Sequence, residues 1–292
     1  MGARFLSRFT LPDQDSRETA LEKAVNHRTC YNNYYPFPVF DNWDPVTLTL
    51  APITVLYGGN GSGKTTLLNL MGEKLGLERR SVYNRSSFFQ DFVDLCRWEG
   101  QGAPPGSRVL TSDDVFDDLL DLRSLNQGVD RDREALLREY KQLRGEDFQL
   151  RSLKDYEHLK QVVCAKKKTS SGSAFVRQRL EGNVRGKSNG ETAFRYFTSQ
   201  IREDALYLLD EPENSLSPDR QLELLQFLED SARFYHCQFV ISTHSPFLLA
   251  FKDARIYDLD TRPVRTARWT EIPGVRTYFD FFDAHRDEFK RE

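Results

Sequence analysis

A glycine-rich run at residues 58–66 is the stretch of this chain best suited to chemistry. It reads Gly-Gly-Asn-Gly-Ser-Gly-Lys-Thr-Thr and fits G-x-x-x-x-G-K-[ST], the pattern of a loop that cradles phosphates. Glycines let the backbone approach a phosphate chain closely, and the amides at a helix start attract negative charge. Lys64 is expected to reach the β- and γ-phosphates, and Thr65 to bind Mg²⁺. The residues predicted to line this phosphate site are Asn60, Gly61, Ser62, Gly63, Lys64, Thr65 and Thr66.

The residues on either side of the loop supply the elements that it needs. Ile53–Tyr57 is a short β-branched, apolar run that predicts a strand, and Leu67–Met71 predicts the first turns of a helix. A chance glycine turn would not require this order of strand, loop and helix. The loop is therefore predicted to lie at a helix N-terminus.

Two acids follow a second strand-like run. Leu206–Asp210 is apolar up to its terminal acid, which is typical of a strand buried on both faces. An acid at the carboxyl end of a core strand, here Asp210, can hold Mg²⁺. Glu211, the next residue, can act as a general base toward a water molecule. The alternative is a strand-end turn that carries surface acids.

A histidine follows the next predicted strand. Gln238–Ser242 predicts that strand, and Thr243-His244-Ser245-Pro246 comes directly after it. A neutral imidazole at His244 can hydrogen-bond the γ-phosphate or the attacking water. A lone histidine is often structural, but its place after a core strand favours a catalytic role.

A weaker signal precedes the acids. Residues 187–191 read Lys-Ser-Asn-Gly-Glu and lie before a predicted helix, Thr192–Gln200. The Ser188 hydroxyl and the Gly190 amide could cradle a phosphate at that helix N-terminus. Taken alone, the run is an ordinary polar loop.

The remaining patterns predict the elements that position these groups. Val46–Leu50 alternates like a half-buried strand, and Pro52 separates it from the strand before the glycine loop. Two strands in this order suggest an antiparallel element that feeds a parallel sheet. A further strand is predicted at Ala254–Asp260, and another within Val82–Phe92 that ends at Phe88–Gln90. Helices are predicted to begin at Thr111 and to lie within 130–165, over Arg220–Phe234 and around Val275–Phe289. Strands that alternate with helices predict an α/β fold.

These patterns divide the chain into four predicted regions. They are an N-terminal arm (1–36), a core formed by 37–110 and 185–262, a helical and basic insertion (111–184), and a C-terminal helical tail (263–292). The tail contains the aromatic residues Tyr278, Phe279, Phe281 and Phe282. They suit either a docking helix or, more commonly, a packed terminal helix.

Composition restricts the class of protein. The 292 residues are 39% apolar and carry a net charge of −3. No apolar run approaches the roughly 18–20 residues that span a bilayer, and Met1–Thr10 lacks the apolar centre of a signal peptide. Cys30, Cys96, Cys164 and Cys237 form neither a C-x-x-C pair nor a zinc pattern, so free thiols in a reducing compartment are expected. We expect a cytoplasmic protein.

The charge is unevenly distributed along the chain. Between Arg151 and Lys187, ten Lys and Arg residues stand against three acids, a local charge of +7. Such asymmetry suggests a polyanionic partner, DNA or RNA. The alternative is a solvated helical face followed by a Lys-rich loop.

Together, these motifs resemble the head of an ABC-type ATPase. The set comprises a Walker A loop at 58–66, a Walker B strand and acid at 206–211, a signature-like loop at 188–191, a D-loop-like run at 214–218 and a switch histidine at 244. The chain is most similar to the SMC/RecF-like branch of small soluble ATPases, which carry D-E-P-E-x-x-L-S-P and T-H-S-P-x-L-L runs. Such proteins occur in DNA maintenance and in bacterial anti-phage defence.

The resemblance implies an α/β fold of the P-loop NTPase class. It implies an ABC-ATPase-like mixed sheet with an antiparallel subdomain and a helical insertion. It also implies that ATP binds with Mg²⁺ between two heads of a homodimer, with Lys64, Thr65 and Asp210 acting from one chain.

The same resemblance implies roles for three further residues. Ser188 and Gly190 of the second copy would contact the γ-phosphate. Gln90 would contact Mg²⁺ and the lytic water. Candidates to stack on the adenine, which are equally suited to the core, are Tyr34, Tyr35 and Trp43.

Three functions remain open at this point. The first is an ATP-hydrolysing switch that dimerises around ATP and gates a partner effector or acts on nucleic acid. The second is the nucleotide-binding subunit of a membrane ABC transporter, which the T-H-S-P and D-E-P-E runs disfavour. The third is a nucleic-acid clamp with little ATP turnover, which the basic 151–187 segment motivates.

Overall fold

The computed structural model describes residues 5–43, 46–147, 156–167, 171–177, 179–180 and 189–290. The chain forms two compact units, one from Met1–Val115 with Ser188–Glu292 and the other from Phe116–Lys187. The first unit contains both β-sheets and every predicted site residue that the structure describes.

Two sheets organise the first unit. Its strands are β1 (Arg8–Thr10), β2 (Thr47–Thr49), β3 (Ile53–Tyr57), β4 (Arg97–Glu99), β5 (Arg108–Thr111), β6 (Leu206–Asp210), β7 (Gln238–Ser242), β8 (Arg255–Asp258) and β9 (Arg265–Ala267). The smaller sheet is antiparallel with the order β2-β1-β4, and the larger has the order β5-β6-β7-β3-β8-β9. Strands β5, β6, β7, β3 and β8 are parallel neighbours, and β9 pairs antiparallel with β8. The predicted mixed sheet with an antiparallel subdomain is confirmed.

The helices are divided between the two units, and α4 contributes residues to both. They are α1 (Gln14–His27), α2 (Lys64–Leu75), α3 (Phe89–Leu95), α4 (Ser112–Gly145), α5 (Tyr156–Lys166), α6 (Gly172–Arg177), α7 (Asn189–Gln200), α8 (Pro218–Phe234) and α9 (Pro273–Ala284). Helix α2 packs on β6 and β7, and α8 packs on β7 and α7. Strands flanked by helices in this way form the α/β architecture that the sequence predicts.

The parallel register brings three chain segments to one edge of the larger sheet. Leu56 of β3 and Asp210 of β6 are both paired with Ser242, the last residue of β7. The glycine loop, the acids and His244 directly follow these three strands. In parallel α/β sheets, ligands bind at the carboxyl ends of the strands.

The N-terminal region is part of the fold, which differs from the arm predicted for 1–36. Strand β1 is the middle strand of the smaller sheet, with Phe9 opposite both Leu48 and Trp98. Leu6 and Phe9 are fully buried in the main core. A strand of three residues is too short to show an alternating pattern, so the sequence did not reveal it.

The strand predicted to end at Phe88–Gln90 is wrong, because these residues begin helix α3. Phe89, Phe92 and Val93 are buried, and their i, i+3, i+4 spacing places them on one helix face. A short apolar run does not by itself distinguish a strand from a buried helix.

Helix α4 begins where the sequence predicts a helix start. Asp114 Oδ2 accepts the N–H of Thr111 at 2.8 Å, and the Thr111 hydroxyl accepts the N–H of Asp114 at 3.3 Å, a reciprocal cap. The helix ends at Gly145. The core of the second unit consists of Tyr140, Leu143, Val162, Ala165 and Phe175.

The C-terminal tail contains the predicted helix, α9. Ile272 and Val275 are buried and anchor its first turn. The aromatic side chains Tyr278, Phe279, Phe281 and Phe282 are 52–58% exposed.

Candidate nucleotide-binding and hydrolytic site

The glycine loop connects β3 to α2 in a conformation that glycine permits. Gly61 and Gly63 have φ values of +81° and +93°. A Cβ atom on Gly63 would lie 3.1 Å from Cγ1 of Val39, so both backbone and space favour glycine there. Helix α2 begins directly after Gly63, and the unpaired amides of its first turn can bind an anion.

The tip of the loop is open to ligands. Asn60 and Gly61 are exposed, and Ser62 is half-buried. The N–H of Ser62 donates to the Gly59 carbonyl at 3.2 Å, which closes the turn. The loop therefore keeps its shape through its own backbone while its outer residues stay accessible.

The side chain of Lys64 folds back over the glycine loop and contacts its first two residues. Its Nζ donates to the carbonyls of Gly58 at 2.7 Å and Gly59 at 3.0 Å. Burial lowers the pKa of Lys64, and the negative charges of Glu211 and Asp210 oppose that shift. An ammonium held by neutral carbonyls in a buried position is well placed to donate to phosphate oxygens instead.

Thr65 and Asp210 supply oxygen atoms where α2 begins and β6 ends. The Thr65 hydroxyl donates to Oδ1 of Asp210 at 3.1 Å. Burial raises the pKa of Asp210, with the nearby Glu211 charge adding to the shift and Lys64 opposing it. A bound cation would stabilise the charged form of this half-buried carboxylate.

This pair fits the way Mg²⁺ binds in nucleotide sites. Mg²⁺ prefers oxygen ligands and usually takes one or two from the protein, with phosphates and waters completing the octahedron. Within the described part of the chain, no group of three or more His, Cys, Asp or Glu side chains could hold a metal ion. Thr65 and Asp210 would therefore hold Mg²⁺ together with a bound triphosphate.

Thr66 turns away from the open side of the loop. The Tyr35 hydroxyl donates to Oγ1 of Thr66 at 3.0 Å, and burial raises the pKa of Tyr35. The Tyr35 ring stacks on Phe89, with 5.9 Å between ring centroids. Through these contacts Tyr35 packs on α3 and hydrogen-bonds to the first turn of α2. Of the two roles that the sequence left open for Tyr35, adenine stacking and packing in the core, these contacts fit packing in the core.

Glu211 and His244 approach each other across the ends of β6 and β7. Oε1 of Glu211 lies 3.4 Å from Nε2 of His244. Asn214 Nδ2 donates to Oε2 of Glu211 at 3.0 Å and orients the carboxylate. Glu211 has a φ of +47°, a left-handed conformation that is uncommon outside glycine and is enriched at functional sites.

The environment of His244 favours its neutral form. Burial lowers the pKa of His244, the positive charge of Lys64 lowers it further, and Glu211 opposes the shift. Because an ordinary histidine titrates near pH 6.5, the imidazole is neutral at pH 7. A neutral ring offers one donor and one acceptor nitrogen.

The described contacts of Gln90 do not include a residue of this site, and its contact with Mg²⁺ and water stays a prediction. Its exposed side chain bonds to Arg85 at 3.2 Å and to Asp94 at 2.9 Å. Arg85 also pairs with Glu73 of α2. Glu73 lies eight residues after Thr65, which corresponds to about 12 Å along the helix. The buried aromatic face of α3 fixes this orientation.

The signature-like loop is described in part. Ser188 lies outside the described residues, and Gly190 is in the first turn of α7. A Cβ atom on Gly190 would lie 3.0 Å from the carbonyl oxygen of Ser215, so glycine permits this close approach. In the described contacts, α7 thus begins against the turn that follows Glu211.

Two acids of the site were missed by sequence reasoning. Both carboxylate oxygens of Asp260 accept the N–H of Gly59, at 2.9 and 2.8 Å. Glu213 accepts the N–H groups of His244 and Ser245. Asp260 belongs to no motif from which its contact could have been predicted, whereas Glu213 is the final residue of the D-E-P-E motif.

A phosphate-binding loop between β3 and α2, with acids and a histidine on adjoining strand ends, defines a P-loop NTPase with an ABC-ATPase-like fold. The chain belongs to the protein family described as "AAA domain, putative AbiEii toxin, Type IV TA system", whose profile matches residues 73–250. The matched span contains Asp210, Glu211 and His244, and the glycine loop precedes it. The resemblance to an ABC/SMC-like ATPase head is confirmed.

Similarity to solved structures is weak but extends over much of the chain. The SMC head domain of Pyrococcus furiosus, bound to the C-terminal domain of ScpA, is 12% identical, with a TM-score of 0.41 over 97% of this chain and 99% of that one. The SMC head domain of Thermotoga maritima is 13% identical, with a TM-score of 0.36 over 87% and 94%. A dimeric ATP-binding cassette bound to ADP and Pi is 14% identical, with a TM-score of 0.37 over 79% and 92%.

Comparison with curated protein sequences gave no match. Among the described helices, none combines the length and apolar character needed to cross a membrane. All four cysteines carry free thiols, as the sequence predicts.

Proposed function

We propose that the chain binds ATP with Mg²⁺ and hydrolyses it in the cytoplasm as a molecular switch. The observation that supports this proposal is that two pairs of side chains lie together at the same edge of the larger sheet. The Thr65 hydroxyl donates to Oδ1 of Asp210 at 3.1 Å, and Nε2 of His244 lies 3.4 Å from Oε1 of Glu211. Phosphoryl transfer needs a phosphate cradle, oxygen ligands for a metal and a group that positions water. All three are available beside the glycine loop.

In the proposed reaction each residue has one task. Lys64 donates to the phosphate oxygens and offsets their charge. Thr65 and Asp210 hold Mg²⁺, which when bound stabilises the negative charge of the phosphates. Glu211 accepts a proton from the attacking water, and neutral His244 donates a hydrogen bond to the terminal phosphate.

The proposal includes a second copy of the chain across the nucleotide. Gly190 lies in the first turn of α7, where a Cβ atom would be 3.0 Å from the carbonyl oxygen of Ser215, and its described contacts do not include Lys64. In a head-to-head homodimer, Gly190 of the partner subunit and Ser188 of the partner subunit would reach the γ-phosphate. The pocket around Lys64 would then be half a site.

We further propose that ATP-dependent dimerisation gates a separate effector protein. The family description, which names a toxin of a type IV toxin–antitoxin system, supports a role in anti-phage defence or DNA maintenance. The exposed aromatic face of α9 is a surface of the first unit that such a partner could contact.

Nucleic-acid binding through the 151–187 segment is a second candidate function. The basic residues of this segment whose exposure the structure describes are all exposed: Lys160, Lys166, Lys167, Arg177 and Arg179. Binding through phosphate contacts should weaken steeply as salt is raised. Binding that is absent or insensitive to salt would rule out this candidate.

Phosphate release from ATP tests the main proposal. The chain is compared with Glu211→Gln and with a control, Glu229→Gln. Glu229 accepts the N–H of Lys252 at 2.7 Å and lines a cavity beside Ile53, at the opposite end of the sheet. We expect Glu211→Gln to bind ATP normally and to lose about 10²–10⁴-fold in turnover, while Glu229→Gln keeps the full rate.

Two results would contradict this account. Unchanged hydrolysis in Glu211→Gln would remove Glu211 from the reaction. No Mg²⁺-dependent hydrolysis by the unaltered chain would contradict the proposed function itself.

A further inference from the structure

The segment that carries His244 is tied to the acid segment by a third carboxylate. Oε1 of Glu213 accepts the N–H of His244 at 2.7 Å and the N–H of Ser245 at 3.2 Å. We propose that Glu213 is a positioning residue, which fixes the His244 backbone so that its imidazole meets Glu211. This inference rests on the proposed hydrolysis and adds a residue to which the motifs assign no role.

Burial makes the Glu213 contact costly to lose. Burial raises the pKa of Glu213, while hydrogen bonds from the Thr243 side chain and the His244 N–H oppose the shift. Hydrogen bonds from N–H groups to a carboxylate are stronger than those between neutral groups. Without this acceptor the N–H of His244 would lose its partner, whereas the N–H of Ser245 would keep its bond to the Thr243 hydroxyl at 2.9 Å.

The residues on either side of His244 are held by other contacts. The N–H of Thr243 donates to the Leu56 carbonyl at 3.3 Å, which continues the pairing of β7 with β3. The Ser245 hydroxyl bonds to the Gln221 side chain of α8 at 2.6 Å. Among the described contacts, Glu213 is thus the group that holds the peptide N–H of His244 itself.

Glu213 also belongs to the segment that orients Glu211. Glu211 lies two residues earlier, and Asn214, the next residue, donates to Oε2 of Glu211 at 3.0 Å. One short turn therefore determines the position of both members of the Glu211–His244 pair. A change in this turn moves the two groups together.

Three substitutions at Glu213 separate positioning from simple packing. Glu213→Met keeps the approximate size and removes the acceptor. Glu213→Asp keeps the charge but withdraws the oxygen by one methylene, and Glu213→Gln keeps an oxygen acceptor in place. The control is Glu229→Met, which removes the same kind of contact, to the Lys252 N–H, far from the site.

Steady-state hydrolysis of MgATP is the first readout. We expect kcat to fall on the order of 10²-fold in Glu213→Met and Glu213→Asp, because small displacements of reacting groups have large effects on rate. KM should stay within about twofold, since Glu213 contacts no substrate in the proposed reaction. Glu213→Gln should restore kcat to within about threefold of the unaltered chain, and Glu229→Met should not change it.

The titration of the His244 ring, followed by NMR and assigned with His244→Asn, is a readout that does not need hydrolysis. In the unaltered chain and in Glu213→Gln, its midpoint should lie below the ordinary value of about 6.5. In Glu213→Met and Glu213→Asp the midpoint should move up toward that value, because the released ring becomes better solvated.

Several outcomes would overturn the proposal. They are an unchanged kcat in Glu213→Met and Glu213→Asp, an equal loss in Glu213→Gln, or a ring titration that none of the variants shifts. If Glu213→Met does not fold, the proposal is tested by comparing kcat and the His244 titration in Glu213→Asp with those in Glu213→Gln. An inactive parent chain with the expected ring titrations would contradict the proposed hydrolysis while supporting the positioning of His244.

Discussion

Nε2 of His244 lies 3.4 Å from Oε1 of Glu211, although the two residues follow different strands. The parallel pairing of β6 with β7 places Asp210 opposite Ser242, and the N–H of Glu211 extends that pairing to the Ser242 carbonyl at 2.9 Å. This register brings the base candidate and the imidazole together beside the phosphate loop. The protonation state of His244 therefore affects the neighbouring Glu211 directly.

Hydrolysis should depend on the neutral form of His244. The pKa of His244 is lowered by burial and by Lys64, so at pH 7 and above the ring is neutral and the rate should be constant. Below the His244 pKa, which lies under 6.5, the protonated ring would pair with Glu211 and weaken it as a base. A pH profile of kcat should show this fall on the acid side.

His244→Asn is the control for this pH dependence. It should lower kcat and move the acid limb to lower pH, since the histidine that titrates has been removed. An acid limb at the same pH in the variant would assign the titration to another group.

Asp210 and Thr65 should determine the response to Mg²⁺. Asp210→Asn and Thr65→Val each remove one proposed oxygen ligand, so the affinity for ATP in the presence of Mg²⁺ should fall by roughly tenfold or more. Binding of ATP in EDTA should change little, because the loop amides and Lys64 are intact. Titration calorimetry with and without Mg²⁺ measures both, and equal losses in the two conditions would contradict the assignment.

Gly63→Ala should weaken nucleotide binding through the backbone. The φ of +93° costs a non-glycine residue roughly 1–2 kcal/mol, and the new Cβ would lie 3.1 Å from Val39 Cγ1. That energy corresponds to about a 5- to 30-fold loss of affinity if the loop must relax to bind. Gly128→Ala, where a Cβ meets nothing within 4 Å, is the matched control and should bind ATP normally.

Arg17 should contribute strongly to stability. Its buried guanidinium donates to the carbonyl of Phe40 and, at 2.7 Å, to that of Trp43, which fixes the segment that packs on the glycine loop. Arg17→Met removes the donor to the Trp43 carbonyl and leaves the Phe40 carbonyl with the N–H of Trp43 alone, so it should lower the free energy of unfolding by about 1–3 kcal/mol. Urea denaturation measures this loss.

Arg8→Met is the comparison for Arg17. The Arg8 side chain is 54% exposed and pairs with Glu99 at 3.4 Å, so its loss should change stability by less than about 1 kcal/mol. Equal effects at the two arginines would contradict the structural role of Arg17.

The parts of the site that are local in sequence could be predicted. The spacing of the loop glycines and Lys64 is itself the geometry of a phosphate cradle. Asp210, Glu211 and His244 follow apolar runs that predict buried parallel strands, and strand ends of a parallel sheet meet at one edge. Apolar runs also predicted strands β2, β3, β6, β7 and β8 of the two sheets.

Contacts between distant residues could not be predicted from local patterns. Asp260 binds Gly59, and Arg17 binds Phe40, only because the sheet and α1 bring them together. The three-residue strands β1 and β4 are set by pairing rather than by their own composition. The strand at Phe88–Gln90 was wrongly predicted because its aromatic residues suit a strand and a helix equally well.

The central claim, that a second copy completes each site, is tested most directly by mixing Lys64→Ala with Gly190→Glu. Each variant alone should be inactive, because every site lacks one half. In a mixed dimer, one of the two sites combines an intact Lys64 with an intact Gly190. Random pairing of equal amounts should therefore restore about a quarter of the normal rate of phosphate release. A mixture as inactive as its components, or full activity of Gly190→Glu alone, would contradict the composite site.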